Sequence, residues 1–147
     1  MESCSDADIT SYGPLTIFGY RGAYRASIGA DIIYGRGYGA LQCATIDSSD
    51  RLSMNVVSTG SYSGVNTDII CRSGSTCNLS CGSSGCYALN FYCLQGSICT
   101  VNLSGCKQNN GGIGDIDNGI NCPNWRVSKS NDDDVLFIGL MAEPKDT

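Results

Sequence analysis

Two ten-residue segments of this chain match at a fixed shift, and that repeat limits the available folds more than any other feature. Asp68-Ile69-Ile70-Cys71-Arg72-Ser73-Gly74-Ser75-Thr76-Cys77 aligns with Asn90-Phe91-Tyr92-Cys93-Leu94-Gln95-Gly96-Ser97-Ile98-Cys99, so Cys71 to Cys93 and Cys77 to Cys99 are both shifts of 22. Ser84-Gly85-Cys86 matches Ser104-Gly105-Cys106 at a shift of 20, which reads as a shortened turn. Carried backward from Cys86, the main shift meets Gly64, a glycine in the cysteine's place. Looser copies flank the pair at longer shifts, Gly39–Cys43 before Cys71 and Gly119–Cys122 after Cys93. Those longer gaps hold loop material, Ser48-Ser49-Asp50 in one and Lys107 to Gly114 in the other. A fixed period in this range is the sequence mark of a solenoid.

Each copy contains short runs that alternate in character: Ile69/Cys71, Cys77/Leu79/Cys81, Phe91/Cys93 and Cys99/Val101/Leu103. A period of two over four or five residues predicts strands with one buried face. Gly-Ser, Ser-Gly and Asn-Gly clusters supply turns between them. The expected fold is all-β, a parallel β-helix of about five short coils stabilised by disulfides. An antiparallel sandwich or a small disulfide-knotted β domain explains the strand lengths but not the register. The expected inward columns are Cys43/Cys71/Cys93/Cys122, Cys77/Cys99 and Val57/Leu79/Val101. Coils about 4.8 Å apart fall within the Cα–Cα window of a disulfide, so Cys71/Cys93, Cys77/Cys99 and Cys86/Cys106 are candidates between coils. Cys81/Cys86 is the candidate within a turn. All ten cysteines, Cys4, Cys43, Cys71, Cys77, Cys81, Cys86, Cys93, Cys99, Cys106 and Cys122, are disulfide candidates.

The chain reads as one β-helical domain, residues 1–147. Residues 1–38 form irregular, tyrosine-rich first coils, in which Tyr20, Tyr24, Tyr34 and Tyr38 interleave with Arg21, Arg25 and Arg36. Small alanines are expected inside these coils, with the tyrosines outside and available for lateral contacts. Residues 39–123 carry the cysteine-rich repeats. Residues 124–147 form a tail, whose apolar run Val135-Leu136-Phe137-Ile138-Gly139-Leu140-Met141 is expected to cover a coil end or pair with another chain.

Composition narrows the function. With only two glutamates and three lysines against 19 glycines, the chain lacks the residues that build long surface helices. No apolar run approaches the roughly 20 residues of a helical membrane span. The absence of histidine removes the commonest general base and the usual open zinc site. A net charge of −5 argues against a nucleic-acid backbone as partner. Ten cysteines point to an oxidising compartment, secreted or at the cell surface. The polar opening Met1–Asp6 carries no signal peptide, so the sequence reads as the mature part of an exported protein.

Asn78-Leu79-Ser80 and Asn102-Leu103-Ser104 fit the N-glycosylation pattern. They are expected on neighbouring coils close to one column, facing outward because Leu79 and Leu103 face inward. No metal site is expected. Cys-x-x-Cys is absent, and in Asp115-Ile116-Asp117-Asn118-Gly119 the glycine comes one residue early for an EF-hand, leaving an Asx-rich turn. Asp132–Asp134 reads as a solvated loop. Asp47, Asp50, Arg51, Asp115 and Asp117 are the groups a polysaccharide-degrading β-helix could use, but no spacing sets them on one face. No catalytic residue and no cofactor is assigned.

The pattern Ile-Ile-Cys-x-x-Gly-Ser-x-Cys-x-Leu-x-Cys from Ile69, repeated as Phe-Tyr-Cys-x-x-Gly-Ser-x-Cys-x-Val from Phe91, resembles the cysteine-rich β-helical repeats of algal and protist extracellular proteins. Some of these build flagellar hairs (mastigonemes) and related surface fibres. The resemblance covers about residues 39 to 123. It implies a right-handed parallel β-helix within structural, often glycosylated, extracellular assemblies. The expected function is therefore a structural subunit of a filament or surface assembly, self-associating or joined to other fibre proteins, with no nucleic acid and no membrane span. A carbohydrate-binding module is the alternative, because tyrosines beside arginines can stack on sugar rings.

Overall fold

The computed structural model describes the backbone of residues 6–10, 13–18, 25–49, 51–82, 85–103, 106–110, 125–129 and 135–140, and the side chains of 13–18, 28–49, 51–82, 85–103, 137 and 138. Among these residues there are strands and turns but no helix. In chain order the strands are β1 Asp6–Thr10, β2 Leu15–Phe18, β3 Arg25–Gly29, β4 Ile32–Arg36, β5 Ala44–Asp47, β6 Ser53–Thr59, β7 Thr67–Cys71, β8 Thr76–Gly82, β9 Ala88–Cys93, β10 Ile98–Leu103, β11 Cys106–Asn110, β12 Trp125–Lys129 and β13 Val135–Leu140. They form two sheets. Sheet A runs β1-β3-β5-β7-β9-β13-β12 and sheet B runs β11-β10-β8-β6-β4-β2.

The first ten strands alternate between the sheets, and each of β1 to β8 pairs in parallel with the strand two places on. The chain is thus a parallel β-solenoid of about four turns. The register shows that the coils differ in length. Asp6 pairs with Arg25 and Ala26 with Ala44, which makes the first coils short. Thr45 pairs with Asp68 and Thr67 with Leu89, which makes the later ones longer. Part of the difference lies at the corner from sheet A to sheet B, which is Ala30–Asp31 in the second coil and the longer Ser48–Leu52 in the third.

Alternation fixes the inner faces. One core column is Ile33, Val56, Leu79 and Val101, all no more than 2% exposed, and another is Ile28, Ile46, Ile69 and Phe91. The expected Val57 column is corrected by one residue: Val56 faces in and Val57 is half-buried on the outside. A one-residue slip reverses every side chain of a strand. Val56 and Val57 are both apolar, so the pattern alone does not choose between them. The choice is made by Asn55, which turns outward and accepts a hydrogen bond at 2.8 Å from the Asn78 amide of the next coil. Ala30, Ala40 and Ala44 lie inside, as expected for the narrow first coils.

The cysteines keep the predicted register but not all the predicted bonds. Cys71 pairs in register with Cys93 and Cys77 with Cys99, yet the disulfides are Cys71–Cys77, Cys93–Cys99 and Cys81–Cys86. Neighbours in a parallel sheet carry parallel Cβ vectors about 4.8 Å apart, wider than the roughly 3.5–4.5 Å that a disulfide prefers. Cysteines on either side of a corner face each other instead, with Cα atoms 6.0 and 6.3 Å apart. The turn candidate Cys81–Cys86 is present. Cys43 is also disulfide-bonded but does not belong to the Cys71 column. Asp47 pairs with Ile70, which places buried Ser48 at the Cys71 position, and Met54 takes the Cys77 position. Cys4 and Cys122 lie outside the described residues, as does the side chain of Cys106.

The third side of each coil is a turn, residues 37–43 and 60–66, with positive φ at Gly37, Gly39, Leu41 and Cys43 and again at Gly60, Tyr62, Gly64 and Asn66. Glycine is required where the backbones of two coils approach closely. A Cβ on Gly60, at φ +104°, would stand 2.7 Å from the Gly37 carbonyl of the coil below. Backbone bonds join these turns, Gly37 N–H to Thr59 O at 3.0 Å and Gly39 N–H to Ser61 O at 2.9 Å.

At the C-terminal end the pairing reverses. β11 lies antiparallel on β10, β13 antiparallel on β9, and β12 antiparallel on β13. The tail therefore covers a coil end of its own chain.

Candidate functional site

Several polar side chains on the outer surface of the solenoid bond from coil to coil. Arg72 grips Asp47 with two bonds, Nε to Oδ1 at 3.0 Å and Nη2 to Oδ2 at 2.8 Å, and Asp47 Oδ1 also accepts the Ser49 N–H. The Arg72 guanidinium, chiefly through these hydrogen bonds, holds the Asp47 carboxyl below the usual carboxylate range, against a smaller opposing effect of burial. Arg51 reaches back over the short corner, with Nη2 on the Gly29 carbonyl at 2.7 Å and Nε 3.0 Å from Asp31. Asp47 and Arg51, two of the groups suited to a degradative enzyme, thus belong to separate ion pairs. Asp50, Asp115 and Asp117 lie outside the described residues. Among the described residues no three His, Cys, Asp or Glu side chains gather to hold a metal. Nothing in this arrangement identifies a catalytic group, and a β-solenoid serves enzymes and structural proteins alike.

Neutral side chains follow the same plan. Asn90 donates to Asp68 at 3.2 Å, and Asn78 donates to Asn55. Buried serines join coils too: Ser75 Oγ donates to the Arg51 carbonyl at 2.6 Å, and Ser48 Oγ accepts the Arg72 N–H at 2.8 Å. These ion pairs and ladders were not legible in advance. The signal that could have found them is the coil step itself, since each donor lies near one step from its acceptor.

Tyr38, Tyr62 and Tyr87 form a column on the third side, ring centres 5.2 and 5.0 Å apart and planes tilted by 53° and 51°. Rings tilted against one another in this way do not make the coplanar platform that binds a sugar face. Tyr34 sits on the outer face of β4, with the Arg36 guanidinium 5.3 Å from its ring centre. Tyr20 and Tyr24 lie outside the described residues.

Leu79 and Leu103 are buried and Asn78 and Asn102 face outward. Asn102 is exposed and Asn78 is half-buried in its ladder. Asn78 pairs with Thr100 and Asn102 with Ser80, so the two occupy adjacent columns rather than one.

Val135, Leu136, Phe137 and Ile138 lie on β13, between β9 and β12. Ile138 is fully buried and Phe137 is 37% exposed, while the side chains of Val135 and Leu136 lie outside the described ones. Among the described residues β11 and β12 at this end, and β1 and β2 at the other, each have a strand neighbour on one side only. Leu15 and Ile17 are half-buried, and Phe18 is 74% exposed. The sequence reads Leu15–Phe18 as a strand, which it is, but the strand belongs to no repeat that would mark Phe18 as exposed.

None of the family models, curated proteins or solved structures compared with the chain matches it. The disulfides fit an oxidising, extracellular environment, and no helix among the described residues is long and apolar enough to cross a membrane.

Proposed function

We propose that this chain is a structural subunit of an extracellular, glycosylated filament or surface assembly that grows through the ends of its solenoid. The observation that carries the reading is the first coil. In later coils the Ile33–Val101 column is sealed from solvent, whereas Leu15 at its start is half-buried beside exposed Phe18. An edge strand with an apolar flank is a template for another chain, and solenoids need capping ends to stay separate. The ladders and ion pairs support the same reading, because they stiffen a stack rather than shape a reactive cleft. The resemblance to algal and protist surface-fibre repeats agrees with it, and exposed Asn102 is the better glycan acceptor. Light scattering of the oxidised chain over a wide concentration range, with negative-stain imaging, tests the proposal. Elongated particles that grow with concentration are expected. A monomer at every concentration overturns it and leaves carbohydrate binding as the reading to pursue.

A further inference from the structure

The two ends of sheet A are unlike in charge and alike in direction. β1, at one end, has the sequence Asp-Ala-Asp-Ile-Thr, and β12, at the other, has Trp-Arg-Val-Ser-Lys. β9 runs parallel to β1 through β3, β5 and β7. β13 runs against β9, and β12 against β13, so β12 again runs the way of β1. The register can be followed across the whole sheet. Asp8 lies in one column with Ser27, Thr45, Asp68, Asn90, Phe137 and Ser128. Two residues earlier on both end strands stand Asp6 and Arg126, which therefore share a column of their own.

We propose that copies of this chain stack head to tail through sheet A, β12 of one copy pairing parallel and in register with β1 of the next. The inference rests on the assembly reading above and adds its polarity and partner strand. An in-register joint sets Asp6 between Arg25 of its own chain, its partner in β3, and Arg126 of the neighbour. Asp8 lies diagonally across from the same arginine. Opposite charges in neighbouring strands stabilise a sheet and like charges oppose it. A twofold joint of β1 on β1 would bring two strands carrying only aspartate charges together, with Asp6 diagonally beside Asp8 of its copy where the strands overlap fully, and β12 on β12 would join two strands carrying only positive charges. Only the head-to-tail joint joins unlike ends, and such a contact propagates without closing unless its rotation forms a ring.

The geometry also sets a length. Seven strands per copy in sheet A, at about 4.8 Å each, give an axial repeat of about 34 Å. The test compares the oxidised wild type with Arg126→Glu and with Asp6→Lys/Asp8→Lys, by light scattering and by electron microscopy of the particles. Each variant alone, folded by circular dichroism, is expected to need about tenfold more protein to assemble. An equal mixture of the two should recover wild-type assembly, because each supplies the end the other lacks. Wild-type particles should show that one-copy axial repeat. A repeat of about twice that length, or folded variants that assemble as the wild type does, overturns the polarity while leaving the assembly reading intact. A wild type that never assembles overturns both. Should Asp6→Lys/Asp8→Lys fail to fold beside Arg25, the wild-type repeat decides.

Discussion

Replacing Gly60 with alanine isolates the cost of a close approach between two coils. Gly60 and Gly74 both have positive φ, +104° and +89°, but only Gly60 has a neighbour. A Cβ on Gly74 meets nothing within 4 Å, whereas one on Gly60 falls 2.7–2.8 Å from three backbone atoms of Gly37. Gly74→Ala is expected to cost about 1–2 kcal/mol for the left-handed backbone alone. Gly60→Ala bears that cost as well and must also move the coils apart, because carbon atoms settle about 3.5–4.0 Å from one another. The required opening, about 0.7–1 Å, stretches the Gly37 N–H to Thr59 O bond from 3.0 Å beyond hydrogen-bond range. Overpacking of about 1–3 kcal/mol and a lost bond of about 1 kcal/mol bring Gly60→Ala to about 3–6 kcal/mol. Urea unfolding of both variants with disulfides intact measures the difference. A gap below about 0.5 kcal/mol would refute the close approach.

Three further outcomes are expected. Cys71→Ser/Cys77→Ser should lose about 2 kcal/mol on the loop-closure model for so short a ring, and non-reducing peptide mapping of the wild type should recover Cys71–Cys77, Cys81–Cys86 and Cys93–Cys99 as linked pairs. Leu79→Ala, at a fully buried position with core neighbours in the coils on both sides, should cost about 2–5 kcal/mol in the same unfolding assay. Asp47 has its folded pKa below the ordinary value, so its contribution is present above the unfolded carboxylate pKa and fades as pH falls through the lower folded one. Asp47→Asn should therefore reduce stability slightly at neutral pH and not at all at pH values below both, as acid titration of the two proteins would show.

How much of this was legible follows from what repeats. Cys71 and Cys93 carried the register because two coils spell the same positions with the same residues. Ser48 and Met54 hold those positions one coil earlier, and nothing in their chemistry links them to cysteine. The coil spacing was correct, but spacing along an axis does not say where two Cβ atoms point, so the bonds were placed between coils instead of across corners. Val56 and Val57 show a similar limit, since an apolar pair has no phase until a polar neighbour fixes one. Of the reversed strands at the C-terminal end only β13 came from the apolar run, which revealed that a strand forms but not its direction. Strand β11 runs over Cys106–Asn110, most of which reads in the sequence as loop material from Lys107, because a polar run with no alternation gives no strand signal. At the open end, Phe18 and the acidic edge strand β1 have no copies elsewhere, so the repeat drew no attention to them.

The corner disulfides have a mechanical consequence. Each of the three described bonds closes a small ring within one coil, between cysteines close in sequence, and none of them ties one coil to the next. Apart from the separate disulfide of Cys43, what resists tension applied at the two termini is the zipper of backbone bonds and side-chain ladders between coils. The three corner bridges only withhold the few residues inside their rings from the released length. Replacing those six cysteines with serine should lengthen each step of a single-molecule extension trace slightly while leaving the force of the peeling set by the ladders.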